Sequence, residues 1–439
     1  MAGAASVSIT PLRPLPGYFG RVFRRARVDS DVLAHAVVFA DGGETVAFVA
    51  MDVTMIGRAE TLRIKELCHL RTGIPARSIF LAANHAHSAP AAAPAWLSGE
   101  NPHPVYMDFL TEQVVTAITR AKESMRPARF AAANVPVPGI AFNRRLVRPD
   151  GNVVMTFAME LSSEHGVDPS YLPAGPVDDD LGYVWFEGTN GEPIACIMNF
   201  ACHNHSAGSL CFHRDLFGRT GDVLRRELGA DIPTPFLAGA CGDVMWLDPR
   251  KGVPDDREAF TWDTGRRLAE NVLRHARKAA RHEIADIRIA SRLVEVPDRP
   301  LADSEFCDDL CRGVGVKDVE FAEKRYGLEK AAVAVRGGTS CLVEIGAVSV
   351  GDVLAISTNP AELFVELGLE IKRRSPIKTT LISELTNGYC GYVPTEAAFE
   401  QKGYETHRGV YTSRLTKSAG STIVELSLEM LKECKRLAR

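Results

Sequence analysis

The sequence lacks the features that mark membrane, secreted and nucleic-acid-binding proteins. No apolar run approaches the roughly 20 residues that a membrane-spanning helix needs. The first stretch, MAGAASVSIT, has neither the basic region nor the apolar region of a signal peptide. The net charge of −4 over 439 residues gives no excess of positive charge with which to bind nucleic acid or an anionic membrane. We therefore predict a cytoplasmic protein that binds no nucleic acid and does not insert into a membrane.

Paired cysteines, repeats and linkers are also missing. The ten cysteines include no CxxC pair, and in a long chain without an export signal they are predicted to be reduced thiols of the core. Cys202 and Cys241, which adjoin the motifs described below, are interpreted as small buried residues. Because the sequence has no internal repeat, low-complexity segment or linker, we predict one domain over residues 1–439.

What the sequence contains is an alternation of apolar strands and amphipathic helices. Residues 35–56 are predicted to form two strands joined by an Asp-Gly-Gly turn, and residues 59–73 a helix that ends at Gly73. The stretches 193–202 and 235–244 are apolar enough for strands buried on both faces. Further helices are predicted at 106–125, 217–230, 263–280, 303–333 and 361–374, and further strands at 78–83, 287–298, 341–347 and 353–358. This order predicts an α/β fold, a single layered domain of mixed β-sheets flanked by helices.

Histidines gather at two places, each just after an apolar stretch. His85 and His87 lie in NHAHSAP after SIFLAA, and His203 and His205 follow PIACIMNF, with His213 further along. Strand ends are where α/β folds usually build sites, because a rigid sheet holds the loops there. Two H-x-H pairs could converge on one metal ion, and neutral imidazole suits zinc. The alternative is that each histidine is a satisfied loop residue, and spacing alone does not decide between the two.

Carboxylates and tyrosines supply further candidates. Asp243 lies at a glycine turn after an apolar stretch, and Glu362 follows an Asn-Pro pair at the start of a predicted helix. A carboxylate at that place can instead interact with the helix dipole. Tyr389, Tyr392 and Tyr404 lie in a loop rich in glycine, where packing is the alternative to a role as ligands.

Together these segments resemble the neutral/alkaline non-lysosomal ceramidase family. HAHSAP is similar to the family's H-T-H-S-G-P, NFACH to N-W-F-A-x-H, AFNRR to I-N-R-S-P, and NPAEL to a Gly-Glu pair near a proline. YVPT, which begins at Tyr392, is similar to Y-V-T-T, and Tyr404 takes the place of that family's second tyrosine. The similarity covers about residues 7–410, and five short motifs in the same order are hard to obtain by chance.

The resemblance implies the fold of the family's catalytic domain and a bound Zn²⁺. The implied ligands are two imidazoles, a carboxylate and a phenol: His85, His203, Glu362 and Tyr392. His87 would lie beside the metal, and Arg144 and Tyr404 would hold the polar part of the substrate and stabilise the developing oxyanion. Four residues near these motifs are candidates for contacts with the substrate: His205, Asp243, Met245 and Trp246.

One proposed catalytic residue of the family has no counterpart in this sequence. The ceramidases have a serine, a proposed nucleophile, in a G-D/N-x-S-P-N segment, whereas GDVMWLDP has Met245 at the serine position and Trp246 at the proline position. The family's secretion signal and additional carboxyl-terminal β-domain are also not expected here. We therefore predict a zinc-dependent hydrolase that cleaves an amide, ester or lactone bond of a small molecule through a metal-activated water, and not a true ceramidase.

Two other functions stay open at this stage. The chain is alternatively a metal-dependent isomerase or lyase for a small carbonyl compound, in which His87 or Tyr404 moves a proton. It is otherwise a non-catalytic relative that binds a ligand, although an intact metal set argues against that interpretation.

Arginine clusters bear on the charge of the substrate. One cluster contains Arg144, Arg145 and Arg148, and the other contains Arg21, Arg24, Arg25 and Arg27. Either cluster would favour an anionic substrate if it lined the pocket, since guanidinium groups match carboxylates. The alternative is solvated surface. A homo-oligomer is a further hypothesis that the sequence does not test.

Overall fold

Three mixed β-sheets, each packed against helices, make up most of the described structure. The computed structural model describes residues 1–12, 28–93, 102–156, 168–206, 211–300, 340–409 and 412–437, together with residues 331 and 335. The predicted helix at 303–333 and the cluster from Arg21 to Arg27 therefore lie outside the described residues, except for residue 331. The mixed α/β class predicted from the sequence is confirmed.

The first sheet has the order β1 (Ala2–Ser8), β2 (Leu33–Ala40), β3 (Thr45–Met51) and β4 (Ile79–Ala83). Only β3 and β4 are parallel, as expected for strands joined by helix α1 (Arg58–Thr72). That helix ends at Gly73, whose φ of 71° is a left-handed conformation that glycine adopts without strain. Helix α2 (Pro104–Glu123) packs on β1 and β2. The hairpin at 35–56 and the helix end at Gly73 are thus confirmed.

The second sheet has the order β12 (Phe236–Ala238), β11 (Pro193–Phe200), β10 (Asp180–Gly188), β5 (Ala128–Pro136) and β14 (His282–Glu283). All neighbours are antiparallel except β11 and β12. Helices α3 (Asp215–Leu228) and α4 (Arg257–Ala276) pack against each other, and α4 contacts β5 and β10. The buried strand predicted at 193–202 is confirmed. The strand predicted at 235–244 is shorter, because the chain leaves the sheet after Ala238.

The third sheet has the order β15 (Ile287–Pro297), β16 (Ser340–Val350), β17 (Leu354–Thr358) and β19 (Thr379–Ser383). Helix α5 (Val365–Arg374) connects the parallel strands β17 and β19. Helix α7 (Ala419–Leu437) packs on β15 and β16. Strand β15 is partly exposed along its length, as its alternating sequence predicts.

Short strands outside the three large sheets contain three of the candidate site residues, Met245, Glu362 and Tyr392. They are β6 (Phe142–Asn143), β7 (Arg145–Val147), β8 (Val153–Met155), β9 (Leu172–Pro173), β13 (Val244–Met245), β18 (Glu362–Leu363) and β20 (Tyr392–Val393), followed by helix α6 (Glu396–Gln401). Strand β6 pairs with β13, and β18 pairs in parallel with β20. The helix predicted over 361–374 begins only at Val365, because Glu362 and Leu363 pair as a strand instead.

One core lies between the three sheets, and further cores lie between the sheets and their helices. In β2, Phe39 faces the shared core while Val38 faces the helices. The rings of Phe39 and Phe186 meet across the first two sheets, with their centroids 5.6 Å apart. Because both faces of these strands are buried, their sequences are apolar almost throughout. Across the described ranges, no helix has both the length and the apolar character to cross a bilayer.

Candidate metal centre

The loop after β4 places two imidazoles side by side. His85 has a φ of 63°, which is uncommon for a residue other than glycine. Its Nδ1 lies 3.0 Å from the carbonyl oxygen of Thr54, and because a carbonyl can only accept, Nδ1 must donate. The other ring nitrogen, Nε2, is therefore the one with a lone pair. The Nε2 of His87 lies 3.1 Å from it.

The segment after β11 brings a third imidazole to the same place. His203 Nδ1 lies 2.8 Å from the carbonyl oxygen of Cys241 and 3.1 Å from that of Val244, so this nitrogen also donates. Its Nε2 is then left with the lone pair. The rings of His85 and His203 stand edge to face, with centroids 4.5 Å apart. Backbone carbonyls thus set the tautomers of both histidines, as is usual for metal-ligating imidazoles.

The parallel pair β18 and β20 sets Glu362 opposite Tyr392 in register. The hydroxyl of Tyr389 donates to Glu362 Oε1 over 2.8 Å. The second oxygen, Oε2, lies 3.4 Å from His85 Nε2 and 3.5 Å from His203 Nε2. Tyr389 therefore orients the carboxylate towards the two imidazoles.

These atoms fit a divalent cation. His85, His203 and Glu362 are at least 98% buried in their side chains, and each directs a lone-pair atom at the others. Glu362 Oε2 accepts no hydrogen bond from the described residues. A buried acceptor left without a donor costs about 1–3 kcal/mol, and a metal ion would remove that cost. Donor atoms of His85, His87 and His203 also all lie within 4.8 Å of one another.

The protonation states suit a metal as well. Burial lowers the pKa of His87 and His205 well below the usual range for histidine. Burial and the charge of Arg144 lower the pKa of His203 to about 3. Burial opposes ionisation of Glu362, but the charge and the hydrogen bonds that His85 and His203 supply when protonated hold the pKa of this carboxyl group well below its ordinary value. Neutral imidazole nitrogen and an ionised carboxylate are the forms that bind zinc.

Arg144, between β6 and β7, spans two of the predicted ligands. Its Nη1 donates to His203 Nε2 over 2.8 Å, and its Nη2 donates to the hydroxyl of Tyr392 over 3.2 Å. A metal on His203 would use the lone pair that Arg144 occupies here, so that donor would have to turn to another acceptor. Burial and the charge of Glu362 raise the pKa of Tyr392 well above its ordinary value. The ring of Tyr404 lies 5.6 Å from that of Tyr392.

Glu405 is a site residue that the sequence analysis missed. It is fully buried and accepts from Arg144 Nε over 2.8 Å and from Arg145 Nη1 over 2.7 Å. Two arginines of the FNRR cluster are therefore internal, whereas Arg148 is exposed and pairs with Asp150. In the sequence, only its position directly after Tyr404 indicated that Glu405 belongs to the site.

Of the four predicted substrate contacts, His205, Met245 and Trp246 lie near the imidazoles, whereas Asp243 contacts the backbone at the start of α5. Trp246 Nε1 donates to His205 Nδ1 over 3.2 Å, and the His205 ring lies 5.1 Å from that of His87. Met245 is buried, and its backbone forms an isolated β-bridge with that of His203. Its sulfur accepts a hydrogen bond from the hydroxyl of Thr156. Asp243 accepts from the backbone N–H of Val365 over 2.8 Å, at the start of α5. Asp243 therefore connects its own loop to the start of helix α5.

Glu384 is a second residue that the sequence analysis missed. Its Oε2 accepts from the backbone N–H groups of Cys241 over 3.2 Å and of Leu363 over 2.9 Å. The thiol of Cys241 donates to Oε1 over 3.0 Å. One buried carboxyl group thus joins the segment that orients His203 to the strand that carries Glu362. Burial raises the pKa of Glu384 well above its ordinary value.

A second group of metal-type donors, Asp29, His213 and Glu258, does not fit a metal. Arg219 Nη2 lies 2.9 Å from Asp29 and 2.7 Å from Glu258, so one guanidinium group bridges both carboxylates. The same Nη2 also lies 2.8 Å from His213 Nε2. A guanidinium group therefore already lies among the three donors, where a metal ion would have to bind.

The arrangement of the whole chain is similar to that of two solved ceramidases. A structure described as ceramidase complexed with C2 is 18% identical, with a TM-score of 0.75 over 99% of this chain and 75% of that chain. The neutral ceramidase from Pseudomonas aeruginosa is also 18% identical, with a TM-score of 0.73 over 100% of this chain and 75% of that chain.

The chain has a neutral ceramidase-like fold. The resemblance seen in the sequence motifs is confirmed at the level of structure. No protein-family model and no curated protein matches the sequence. At 18% identity the neutral ceramidase-like fold does not carry an activity with it, since one fold hosts many functions.

Proposed function

We propose that this protein is a zinc-dependent hydrolase that cleaves an amide, ester or lactone bond of a small molecule. The observation that carries the proposal is the convergence of His85 Nε2, His203 Nε2 and Glu362 Oε2 in a buried site. A neutral ceramidase-like fold supports a hydrolase, because the two solved structures that share it are ceramidases.

Four side chains would hold the metal: His85, His203, Glu362 and Tyr392. When bound there, zinc would polarise a carbonyl group and bring the pKa of a water molecule to about 7. His87, next to His85 but outside this ligand set, would orient the attacking water and accept its proton.

Arg144 would stabilise negative charge on the substrate oxygen. Glu405 holds its Nε, and the two Nη groups point to His203 and Tyr392. With zinc on His203, Nη1 would turn from that ring to the substrate oxygen, while Glu405 keeps Nε in place. Tyr404, beside Tyr392, would donate to the same oxygen.

Met245 supports attack by water without a covalent intermediate. Its sulfur is a thioether, buried beside His203 and in contact with Thr156, and it offers no proton and no nucleophile. Water activated in the metal centre would therefore attack the carbonyl directly.

Metal analysis of the purified protein tests the proposal. We expect one zinc per chain after expression with zinc present, and loss of zinc in His85→Ala and Glu362→Ala. His213→Ala, in the group that Arg219 bridges, should keep its zinc and is the matched control. A zinc content near zero in the unmodified protein contradicts the proposal. Incorporation of labelled oxygen from water into the product separates hydrolysis from isomerisation or elimination.

A further inference from the structure

His205 lies at the partly exposed edge of the proposed metal centre. Of the four imidazoles there, His85 and His203 are buried, whereas His87 and His205 are partly exposed. The centroid of the His205 ring lies 5.1 Å from that of His87 and 5.7 Å from that of His203. A molecule bound at the metal beside His87 would therefore lie close to His205.

Trp246 decides which nitrogen of the His205 ring carries the proton. Its indole N–H, which can only donate, donates to His205 Nδ1 over 3.2 Å. Because Nδ1 accepts, it has no proton, and the proton of the neutral ring is on Nε2. No described residue accepts a hydrogen bond from Nε2, and solvent reaches this nitrogen. His205 therefore offers one N–H group to a ligand.

Arg257, the first residue of α4, holds His205 and Trp246 in this arrangement. Its Nη2 donates to the carbonyl oxygen of His205 over 2.7 Å, and its Nε donates to that of Ser206 over 2.6 Å. Its guanidinium carbon lies 5.0 Å from the centre of the Trp246 ring, which also packs against the ring of Phe260. A donor that is held in advance in this way loses little conformational freedom when a ligand binds.

We propose that His205 is a substrate-binding residue that donates from Nε2 to a second oxygen of the substrate, and that Trp246 fixes it in this donor form. The carbonyl oxygen of the scissile bond already has its proposed donors in Arg144 and Tyr404. The inference rests on the proposed hydrolase and narrows its substrate class. The substrate would be an amide, ester or lactone of an acid that carries a hydroxyl, ether or further carbonyl oxygen beside the scissile bond.

Nitrogen NMR of the protein labelled in its histidine rings tests the donor form without any ligand. The His205 signals, identified by their loss in His205→Gln, should show a proton on Nε2 and none on Nδ1. Trp246→Phe should move both chemical shifts towards a mixture of the two tautomers. Trp185→Phe, which removes another indole N–H that donates to a side chain over 3.1 Å, is the control and should leave them unchanged. A proton on Nδ1 in the unmodified protein would overturn the inference, and unchanged shifts in Trp246→Phe would overturn the part of Trp246 in it.

Two zinc-binding probes that differ in one oxygen test the contact with a ligand. Lactohydroxamate has a hydroxyl group beside its carbonyl group, and propionohydroxamate has hydrogen in its place. By calorimetry, the zinc-loaded protein should bind lactohydroxamate about three- to tenfold more tightly, the contribution of one neutral hydrogen bond. His205→Gln, whose amide N–H reaches the place of Nε2, should keep the preference, whereas the shorter His205→Asn should lose it. His275→Asn, at an exposed position of α4, is the control and should keep it.

Hydrolysis assays connect the contact to the reaction. The ratio of kcat/KM for methyl lactate to that for methyl propionate should fall about three- to tenfold in His205→Asn. Zinc content is measured on the same samples. Equal affinity of the unmodified protein for the two hydroxamates, with full zinc and cleaved esters, would overturn this inference alone. A zinc content near zero with the proton still on Nε2 would overturn the hydrolase and leave the donor form of His205 in place.

Discussion

His87 lies next to the proposed metal without belonging to its four proposed ligands. Its ring nitrogen is 3.1 Å from that of His85, close enough to reach a water molecule bound between them. We expect His87→Ala to keep one zinc per chain and to lose about 10² to 10⁴ in kcat, the usual contribution of a general acid–base group. Met245→Ala should cost far less, because a thioether supplies neither a proton nor a nucleophile. Kinetic constants and zinc content of both variants check this.

Other outcomes of these variants would change the mechanism. Near-full activity in His87→Ala, or a trapped acyl-enzyme, would contradict attack by a water that His87 orients. Loss of zinc together with activity would show that His87 is a ligand or a brace of the loop, which its place beside His85 and His203 also allows.

Asp52 is a buried acid behind the His85 loop, and it makes the stability of the protein depend on pH. It accepts from the backbone N–H of Leu33 and from the side chain of Asn84. Burial raises the pKa of Asp52 from 3.8 to about 6, so the folded protein binds a proton more tightly than the unfolded chain does. Through this carboxyl group alone, the free energy of unfolding falls by about 3 kcal/mol as the pH rises from about 4 to about 7.

Asp52→Asn removes this titration. Relative to the variant, the unmodified protein should be more stable at pH 4 than at pH 7 by about 3 kcal/mol, since only its carboxyl group must ionise in the core. Urea unfolding of both proteins at several pH values measures the difference. Parallel pH courses for the two proteins would show that Asp52 does not titrate in this range.

At the scale of elements, the segment with Cys241 and Gly242 packs closely against strand β18 in the proposed metal centre. Gly242 lies against β18, where a Cβ atom would stand 2.6 Å from the carbonyl oxygen of Glu362, so only glycine fits without a shift of the backbone. Glu384 joins the same two segments through the backbone N–H groups of Cys241 and Leu363. The orientation of His203 and the position of Glu362 thus depend on one buried carboxyl group.

We expect Glu384→Ala to weaken zinc binding by about 10- to 100-fold, the usual effect of removing an outer-shell partner of metal ligands. Glu384→Gln keeps an oxygen that can accept both N–H groups and should stay within a few-fold of the unmodified protein. Competition with a chromophoric chelator measures the affinity. Glu344→Ala, which removes another partly buried carboxylate bound to Lys65 and Arg58, controls for general destabilisation and should not change it. Equal zinc affinity in Glu384→Ala and the unmodified protein would contradict the positioning role.

At the scale of the whole molecule, the neutral ceramidase-like fold does not bring ceramidase activity with it. Met245 stands where the ceramidase motif has its serine, and a thioether cannot act as a nucleophile in its place. We expect long-chain ceramide in detergent micelles to release little or no fatty acid with the zinc-loaded protein. An assay for free fatty acid checks this, and robust release would overturn both the substrate class and the direct attack by water.

Much of the architecture follows from local patterns in the sequence. Apolar runs such as 193–200 predict strands buried on both faces, and the glycine at position 73 predicts the end of α1. The helix predicted from 361 was wrong in its first turn, because Glu362 pairs with Tyr392 and the strand contact outweighs the helical pattern. Propensity describes one segment, whereas such a pairing depends on another segment of the chain.

The sequence alone supplied the imidazoles, the carboxylate and the tyrosine of the proposed metal centre as candidates, because each lies in a short motif that resembles one of the ceramidase family. Only the tertiary structure shows that Glu405 lies against Arg144, 261 positions away, and that Glu384 bonds to Cys241, 143 positions away. It also shows which carbonyls orient His85 and His203. Such contacts join residues that are distant in the chain, and they leave no periodicity or spacing in the sequence by which they could be predicted.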